Sequence, residues 1–588
     1  MDPTRVFDLL PRLKERFDKP DALAAKENGK WVTYSTNDFI NNVNDLSHGL
    51  LSIGIGKGDH IAILANNRPE WHFADFACQQ IAVATVPVYP TISDHDLKFI
   101  LNDAGIKLIF VSSAELYAKV KEIASTASTV KFIYTFDKVA SANNWTELRD
   151  AGRKMPDVKK LVALKDSVKP SDLLTILYTS GTTGTPKGVM LSHNNLLSNS
   201  LASQNLCPFE KNWRALSFLP LNHVYERMLE VVYFYMGVSI YFAESIDSIG
   251  ANLKEVQPQI FATVPRLLEK VYDKIVGQGE LQKGIKHTLF FWALNLGLRY
   301  ELNGANGWWY EFQLKIANKL VFVKWREALG GKVIAIASGG AALQPRLARV
   351  FNAARITVLE GYGLTETSPV VAVNNFEPNS ICFGTVGPIL KNLEVKFAAD
   401  GEILVKGPSI MMGYYNRPVE TAEAIDKEGF FHTGDIGTLV DGRFLKITDR
   451  KKEIFKTSGG KYIAPLMIEN KLKESPFIEQ ALVIGEGQKF ASAFIVPAFV
   501  YLKDWCEKKS VPCTSNEEMI SNELVKKQLI AEVEKVNSEL AQYEKIKRPE
   551  LMSREWTIEG GEMTPKLSLK RKVILENNKA LFAKIYND

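Results

Sequence analysis

The chain of 588 residues is too long for a single hydrophobic core, and its 46% hydrophobic residues supply apolar material for several. Its 72 basic and 67 acidic residues nearly balance, so the formal net charge of +5 gives no reason to expect nucleic acid as a partner. Five scattered cysteines without a C-x-x-C pair argue against a disulfide framework or a zinc site, which makes a reducing cytoplasm the expected setting. The residues after Met1 carry mixed charge, and no apolar run approaches the roughly 18 residues of a membrane span, so neither export nor bilayer insertion is expected.

In chain order, Ser35 and Thr36 are N-cap candidates for a helix with a buried stripe of Phe39, Val43, Leu46 and Leu50, ended by Gly54 and Gly56. An apolar run from Ile61 to Leu64, a helical stretch from Trp71 to Gln80, a β-branched run from Val83 to Val88, another helix and the run Leu108 to Val111 then alternate. That βαβα order predicts a mostly parallel sheet covered by helices. Leu173 to Leu177 reads as a further strand, and a helix is expected at Asn195.

From about 266 to 330 the rhythm breaks into a helical pattern rich in aromatics, among them Phe290, Trp308, Trp309, Tyr310, Phe322 and Trp325. Arg299, Lys315, Lys319, Lys324 and Arg326 interleave with them, a mixture that suits ordinary helix packing and also contact with a membrane surface. A third region starts near Asp449. Its signature is a long amphipathic helix after a capping box from Ser515 to Glu518, with Leu529, Val533, Val536 and Leu540 as the apolar stripe. The expected fold is α/β: a large N-terminal domain of mostly parallel sheets (1–448) with a helical insert, and a small α+β C-terminal domain (449–588).

Between the strand at Leu173 and the helix at Asn195 lies Thr179-Ser180-Gly181-Thr182-Thr183-Gly184-Thr-Pro-Lys187. Glycines let backbone N–H groups turn toward an anion, hydroxyls add donors and the lysine adds a point charge, which together suit a triphosphate. A flexible surface loop would have the same composition. It is not a Walker A loop, because Pro186 stands where that motif needs glycine and Lys187 is followed by Gly188.

Further motifs follow: Leu219-Pro-Leu-Asn-His223-Val-Tyr-Glu-Arg227, Ser338-Gly339-Gly340-Ala-Ala342, Gly361-Tyr362-Gly363-Leu-Thr365-Glu366-Thr367, His432-Thr-Gly-Asp435 and Asp449-Arg450-Lys-Lys-Glu453. With the glycine-rich loop, they resemble the adenylate-forming synthetases from about residue 170 to 470. Within that superfamily the chain is most similar to long-chain fatty acyl-CoA synthetases, through Thr263-Val-Pro-Arg-Leu-Leu-Glu-Lys-Val-Tyr272 and Phe455-Lys-Thr-Ser-Gly459-Gly460-Lys461-Tyr-Ile-Ala-Pro465.

The resemblance implies ATP, Mg²⁺ and coenzyme A, with a fatty acid as the activated substrate. It places Tyr362 on adenine beside Gly361, Thr365 near the phosphates, Glu366 on Mg²⁺, and Asp435 and Arg450 on the ribose. His223 takes a positioning role near the acyl carboxylate and phosphate, since a lone His in an apolar stretch is more often a core residue than a catalyst. The C-terminal domain is expected to rotate about a hinge at Asp449 between the two half-reactions. Gly459 and Gly460 would let a pantetheine arm pass, with Lys456 or Lys461 at the CoA phosphates. The aromatic insert is expected to roof a long apolar tunnel. Peripheral membrane contact and a homodimer are further expectations.

The chain departs from the resemblance in Pro565-Lys566-Leu-Ser568-Leu-Lys570, where long-chain relatives usually place the adenylation lysine at the position of Ser568. Lys566 and Lys570 are the candidate replacements, because on a strand both share a face with Ser568, and Lys566 is preferred. Two alternative readings are a ligase that loads an acyl carrier protein and, given Ser568, a non-catalytic acyl or nucleotide binder.

Overall fold

Strands buried on both faces need apolar residues at successive positions, and this chain supplies them: Ile61 to Leu64 and Leu108 to Val111 are wholly buried. The computed structural model describes residues 2–180, 186–512, 515–557, 559–563 and 569–587. By its internal contacts the chain forms two units. The first comprises residues up to Gly339, Leu347–Val395 and Leu404–His432; the second comprises Gly340–Arg346, Lys396–Ile403 and the chain from Thr433 onward. The proposed boundary at Asp449 lies within the strand Phe444–Arg450.

The first unit contains two eight-stranded sheets. One has the spatial order Gly413–Tyr414, Pro186–Ser192, Leu173–Ser180, Ala84–Pro87, His60–Leu64, Leu108–Val111, Phe132–Thr135 and Asn143–Asn144. Its strands from Leu173–Ser180 to the far edge are parallel, whereas the two at the Gly413–Tyr414 end are antiparallel. The other sheet is parallel from Leu23–Glu27 through Ser239–Phe242, Arg214–Ser217, Ile260–Thr263 and Ala335–Ser338 to Thr357–Gly363. Antiparallel strands Lys30–Tyr34 and Val370–Val373 close its edges.

The expected helices form where the sequence signals them. Ser35 caps Thr36–Ser52: its hydroxyl accepts the Asp38 N–H at 3.1 Å, and the Asp38 carboxylate accepts the Ser35 N–H at 2.8 Å. The insert consists of Pro265–Glu280, Ile285–Leu298, Trp308–Ala317, a π-helical turn Asn318–Phe322 and Val323–Ala328. Tyr310, Leu314, Phe322 and Trp325 of the insert are buried. Among the described residues no helix is long and apolar enough to cross a membrane.

The second unit carries most of a four-stranded sheet and a three-stranded sheet of Ile478–Ile484, Ser492–Pro497 and Glu550–Leu551. Its own core includes Ile468, Leu482, Phe494, Leu529 and Trp556. Two expectations are corrected here. The long amphipathic helix is two helices, Asn516–Ser521 and Glu523–Asn537, because Asn522 adopts an extended conformation and its side chain caps the second helix by accepting from Leu524 and Val525. Leu540 therefore lies beyond the helix end, although it is buried. The shared strand face of Lys566, Ser568 and Lys570 does not extend to Lys570: residues 564–568 lie outside the described residues, Leu569 forms an isolated bridge with Met563, and Lys570 is the N-cap of the helix Arg571–Asn577.

Candidate active site

The glycine-rich loop joins two antiparallel strands, so its sequence neighbours are set by β-pairing: Tyr178 faces Gly188, Thr179 faces Lys187 and Ser180 faces Pro186. Gly181, Thr182, Thr183 and Gly184 lie outside the described residues, as do Lys566 and Ser568. The stem is held from both sides. Tyr178 donates its hydroxyl to the Asp103 carboxylate at 2.6 Å, and burial together with that carboxylate raises the phenol far above its ordinary pKa, so it stays a donor. On the other side the short strand Gly413–Tyr414 pairs with Pro186–Ser192, and the Tyr415 N–H donates to the Gly188 carbonyl at 2.7 Å.

That short strand also reaches Glu366. The Met411 N–H donates to the Glu366 carbonyl at 2.9 Å, and the Tyr414 hydroxyl donates to Glu366 Oε1 at 3.0 Å. Lys187 Nζ lies 5.2 Å from the centroid of the Tyr414 ring. The structure thus brings together Lys187 and Glu366, which are 179 positions apart in the chain (366 minus 187). Two asparagines on the helix His193–Ser203 fix the surroundings. The Asn195 amide donates to the carbonyls of Pro408 and Ile410 at 2.8 Å each; Asn199 accepts from the Val370 N–H at 3.1 Å and donates to its carbonyl at 2.7 Å.

Gly361, Tyr362 and Gly363 end the strand Thr357–Gly363, with Tyr362 opposite Ala372. A Cβ on Gly363 would stand 1.8 Å from the Pro369 carbonyl oxygen, so close backbone approach alone demands glycine there. Thr365 is buried in the 3₁₀ turn Thr365–Thr367 that carries Glu366. His223 caps the helix Val224–Met236, its Nδ1 accepting the Tyr225 N–H at 3.1 Å, which in the neutral ring leaves the proton on Nε2. Gly339 lies against the Tyr225 ring, where a Cβ would come within 3.2 Å, so His223 and Gly339 belong to one neighbourhood.

Behind His223 the same helix enters a buried polar network. Arg227 donates to Asp75 at 2.6 Å, to Thr175 at 2.8 Å and to Thr85 at 3.3 Å, tying the helix to the strand that leads into the glycine-rich loop. Burial lowers His72 to a pKa of about 3, and burial raises the carboxyls of Glu226 and Glu230 above the ordinary range. His72 and Glu230 are in hydrogen-bond contact. With both partners driven toward their uncharged forms, this is a neutral pair at physiological pH.

In the second unit, Asp435 and Arg450 are direct cross-strand partners in the hairpin of Phe431–Val440 and Phe444–Arg450, with Nε and Oδ1 3.9 Å apart. Arg450 also approaches Glu453 at 3.5 Å. Gly340 begins the second unit. Asp449 is buried, its carboxylate accepting the N–H groups of Arg450 at 2.6 Å and Leu466 at 3.3 Å; burial lifts its pKa to about 7. Gly459 and Gly460 occupy the turn between Phe455–Lys456 and Tyr462–Ile463. A Cβ at Gly459 would meet only Thr457 at 3.9 Å, so packing within the chain does not require glycine there. Lys456 lies over Tyr462 at 5.1 Å and Lys461 over Tyr543 at 5.9 Å. Lys570 is exposed and donates its backbone N–H to the Glu562 carbonyl, whereas the next residue, Arg571, is committed to Glu453, Glu469 and the Val483 carbonyl.

Sequence reasoning missed Tyr414, Asn195 as a clamp, and Asn199. Asn195 and Asn199 are four apart on a helix and share a face, so two amides on one face of a predicted helix were a readable signal. Tyr414 had only a preceding glycine and a following Tyr415 to mark it.

The AMP-binding enzyme family matches residues 14–415, and the AMP-binding enzyme C-terminal domain matches 452–588. The chain is 31% identical over 584 residues to a long-chain-fatty-acid–CoA ligase of Mycobacterium bovis, covering 97% of this chain and 95% of that protein. It is 33% identical to the peroxisomal long chain acyl-CoA synthetase 6 of Arabidopsis thaliana, covering 92% and 79%. Among solved structures, an anthranilate CoA ligase in complex with anthranoyl-AMP superposes with a TM-score of 0.73 at 16% identity, covering 98% of both chains, a likeness of fold.

Proposed function

The chain belongs to the AMP-binding enzyme family, and from that premise we propose that it activates a long-chain fatty acid with ATP and transfers the acyl group to CoA. The fatty acid carboxylate attacks the α-phosphorus in line, giving acyl-adenylate and pyrophosphate; the CoA thiolate then attacks the acyl carbonyl and AMP leaves. Neither step needs a protein nucleophile, so the demands on the chain are positioning and charge neutralisation. The observation that carries the reading is the cluster of Lys187, Tyr414 and Glu366 at the foot of the glycine-rich loop, a cation and a carboxylate that both contact one tyrosine.

In this reading the loop from Thr179 to Lys187 grips the phosphates, Thr365 lies beside them, and the segments of Gly339, Gly340, Gly361 and Gly363 border the nucleotide around Tyr362. Asp435 and Arg450 take the ribose hydroxyls, and their loose contact at 3.9 Å opens at little cost. His223 positions the acyl carboxylate. Lys566, in preference to Lys570, supplies the charge for adenylation, Asp449 serves as the hinge, and Gly459 and Gly460 border the pantetheine arm. Glu366 fits Mg²⁺: Oε1 is engaged by Tyr414, while Oε2 makes no hydrogen bond among the described residues, and one carboxylate suits an ion that keeps waters and shares phosphate oxygens. When bound, Mg²⁺ neutralises phosphate charge.

A cytoplasmic location, peripheral membrane contact and a homodimeric state complete the proposal. Support for the membrane contact comes from the outer face of the insert, where Trp308, Trp309, Phe312, Ile316 and Leu320 are exposed opposite the buried Tyr310, Leu314 and Val321. Lys315 and Lys319 lie among them, exposed, and make no ion pair among the described residues. Aromatic and lysine side chains so mixed suit an interface between headgroups and acyl chains. The deciding experiment for the activity is AMP release by purified protein across fatty acids of increasing length, with CoA or a phosphopantetheinylated carrier protein as acceptor. Release that is greatest with long chains and requires CoA is expected. No AMP with any fatty acid refutes the activity, and release with the carrier protein alone changes the acceptor.

A further inference from the structure

We infer that Tyr414 is a positioning residue for the first half-reaction, one side chain that sets both the phosphate-binding lysine and the metal-binding carboxylate. The inference rests on the proposed roles of Lys187 and Glu366 and adds the element that couples them. Two separate parts of the tyrosine are used. Its hydroxyl donates to Glu366 Oε1 at 3.0 Å, which restrains the carboxylate's rotation while Oε2 makes no hydrogen bond among the described residues. Its ring face holds the Lys187 ammonium 5.2 Å from the centroid, a contact that aims the flexible lysine without neutralising it as a carboxylate would. Among the described residues Lys187 makes no ion pair, so its charge stays available for a polyphosphate.

The tyrosine is itself held on several sides, as a positioning residue must be. Its strand pairs with Pro186–Ser192, with Tyr414 opposite Val189, and the Met412 N–H donates to the Met190 carbonyl at 2.9 Å. The Tyr414 N–H donates to Thr421 Oγ1 at 2.8 Å, and Met411 bonds the Glu366 main chain. The two-residue strand is thereby clamped between the stem of the glycine-rich loop and the turn that bears Glu366. A shift of either reaches the other through one aromatic ring.

Two substitutions separate the two uses. Tyr414→Phe removes the hydroxyl and keeps the ring, and Tyr414→Leu removes both. Calorimetric titration of ATP into the full-length protein without fatty acid, at a series of Mg²⁺ concentrations and in EDTA, reads the two contacts apart. For Tyr414→Phe, the expected result is about a tenfold rise in the Mg²⁺ concentration needed for half-maximal tightening of ATP binding, with affinity in EDTA unchanged. Tyr414→Leu is expected to weaken binding in EDTA as well, because Lys187 loses its ring. Thioester formation from preformed acyl-adenylate should match wild type in both. Wild-type Mg²⁺ dependence in Tyr414→Phe overturns the inference, and so does equal loss in EDTA for both variants. If Tyr414→Leu does not fold, the Phe variant decides alone. Wild-type protein that binds no ATP overturns the phosphate-site reading itself, a result distinct from a variant that behaves like a functional wild type.

Discussion

Asp75→Asn should destabilise the first unit severely, because it strands a guanidinium. Asp75 and Arg227 are both almost wholly buried, with Arg227 Nη2 2.6 Å from the carboxylate. At that distance two unit charges attract by about 6 kcal/mol at an effective dielectric of about 20, an attraction largely offset by the cost of removing both from water. Taking away one charge leaves the desolvation of the other uncompensated, for a loss of about 3–5 kcal/mol. Arg227→Met should cost a similar amount by stranding Asp75, although Thr85 and Gln79 still donate to that carboxylate at 2.7 and 2.8 Å. The double variant Asp75→Asn/Arg227→Met should lose less than the sum of the singles, since it leaves no charge of this pair buried. Differential scanning calorimetry of the four proteins measures this, with the melting transition of the first unit as the readout, since two units need not melt together. Single variants within about 1 kcal/mol of wild type, or a double variant as damaged as the sum, would refute the argument that this pair is an interdependent buried couple.

Lys566→Ala should slow adenylate formation far more than thioester formation from preformed acyl-AMP; wild-type pyrophosphate exchange in that variant, with Lys570→Ala inactive, transfers the role to Lys570. Asp449 gives a pH dependence of known sign. Burial holds its native pKa near 7, above its unfolded value, so its contribution to stability is full at acid pH and is lost as pH rises through 7. Asp449→Asn should therefore flatten the fall in melting temperature between about pH 4 and pH 7; an unchanged slope rules Asp449 out as its source. On the insert, replacing Trp308 and Phe312 together by Ala should abolish co-flotation with anionic phospholipid vesicles and leave AMP release in detergent unchanged. Retention equal to wild type would remove that face from membrane contact.

Local physics made much of the fold readable in advance. The capping box at Ser35, the apolar runs at Ile61 and Leu108 and the βα alternation each follow from short-range chemistry, and each forms where expected. The same short-range chemistry explains the failure at Ser515: the box is real and caps Asn516–Ser521, but periodicity alone does not reveal that Asn522 restarts the helix. The period-two argument for Lys566, Ser568 and Lys570 presupposes a strand; Leu569 still bridges Met563, but Lys570 already caps the helix Arg571–Asn577. In the candidate site, the residues lying in long motifs were legible. Tyr414 was not, because its importance comes from meeting Glu366 and Lys187 across the fold, a property of the tertiary structure that no local spacing encodes.

The uncharged state of Glu226 and Glu230 bears on the electric field at the head of their helix. His223 caps that helix, with Glu226 less than one turn behind it and Glu230 about two turns behind. Were both carboxyls ionised, they would set two negative charges behind the first turn and oppose the partial positive charge that a helix N-terminus carries. Burial keeps them protonated, and Asp75 cancels Arg227. In the proposed function, an acyl carboxylate or a phosphate approaching His223 therefore meets a helix N-terminus whose partial positive charge these two carboxyls, held toward their neutral form, do not oppose.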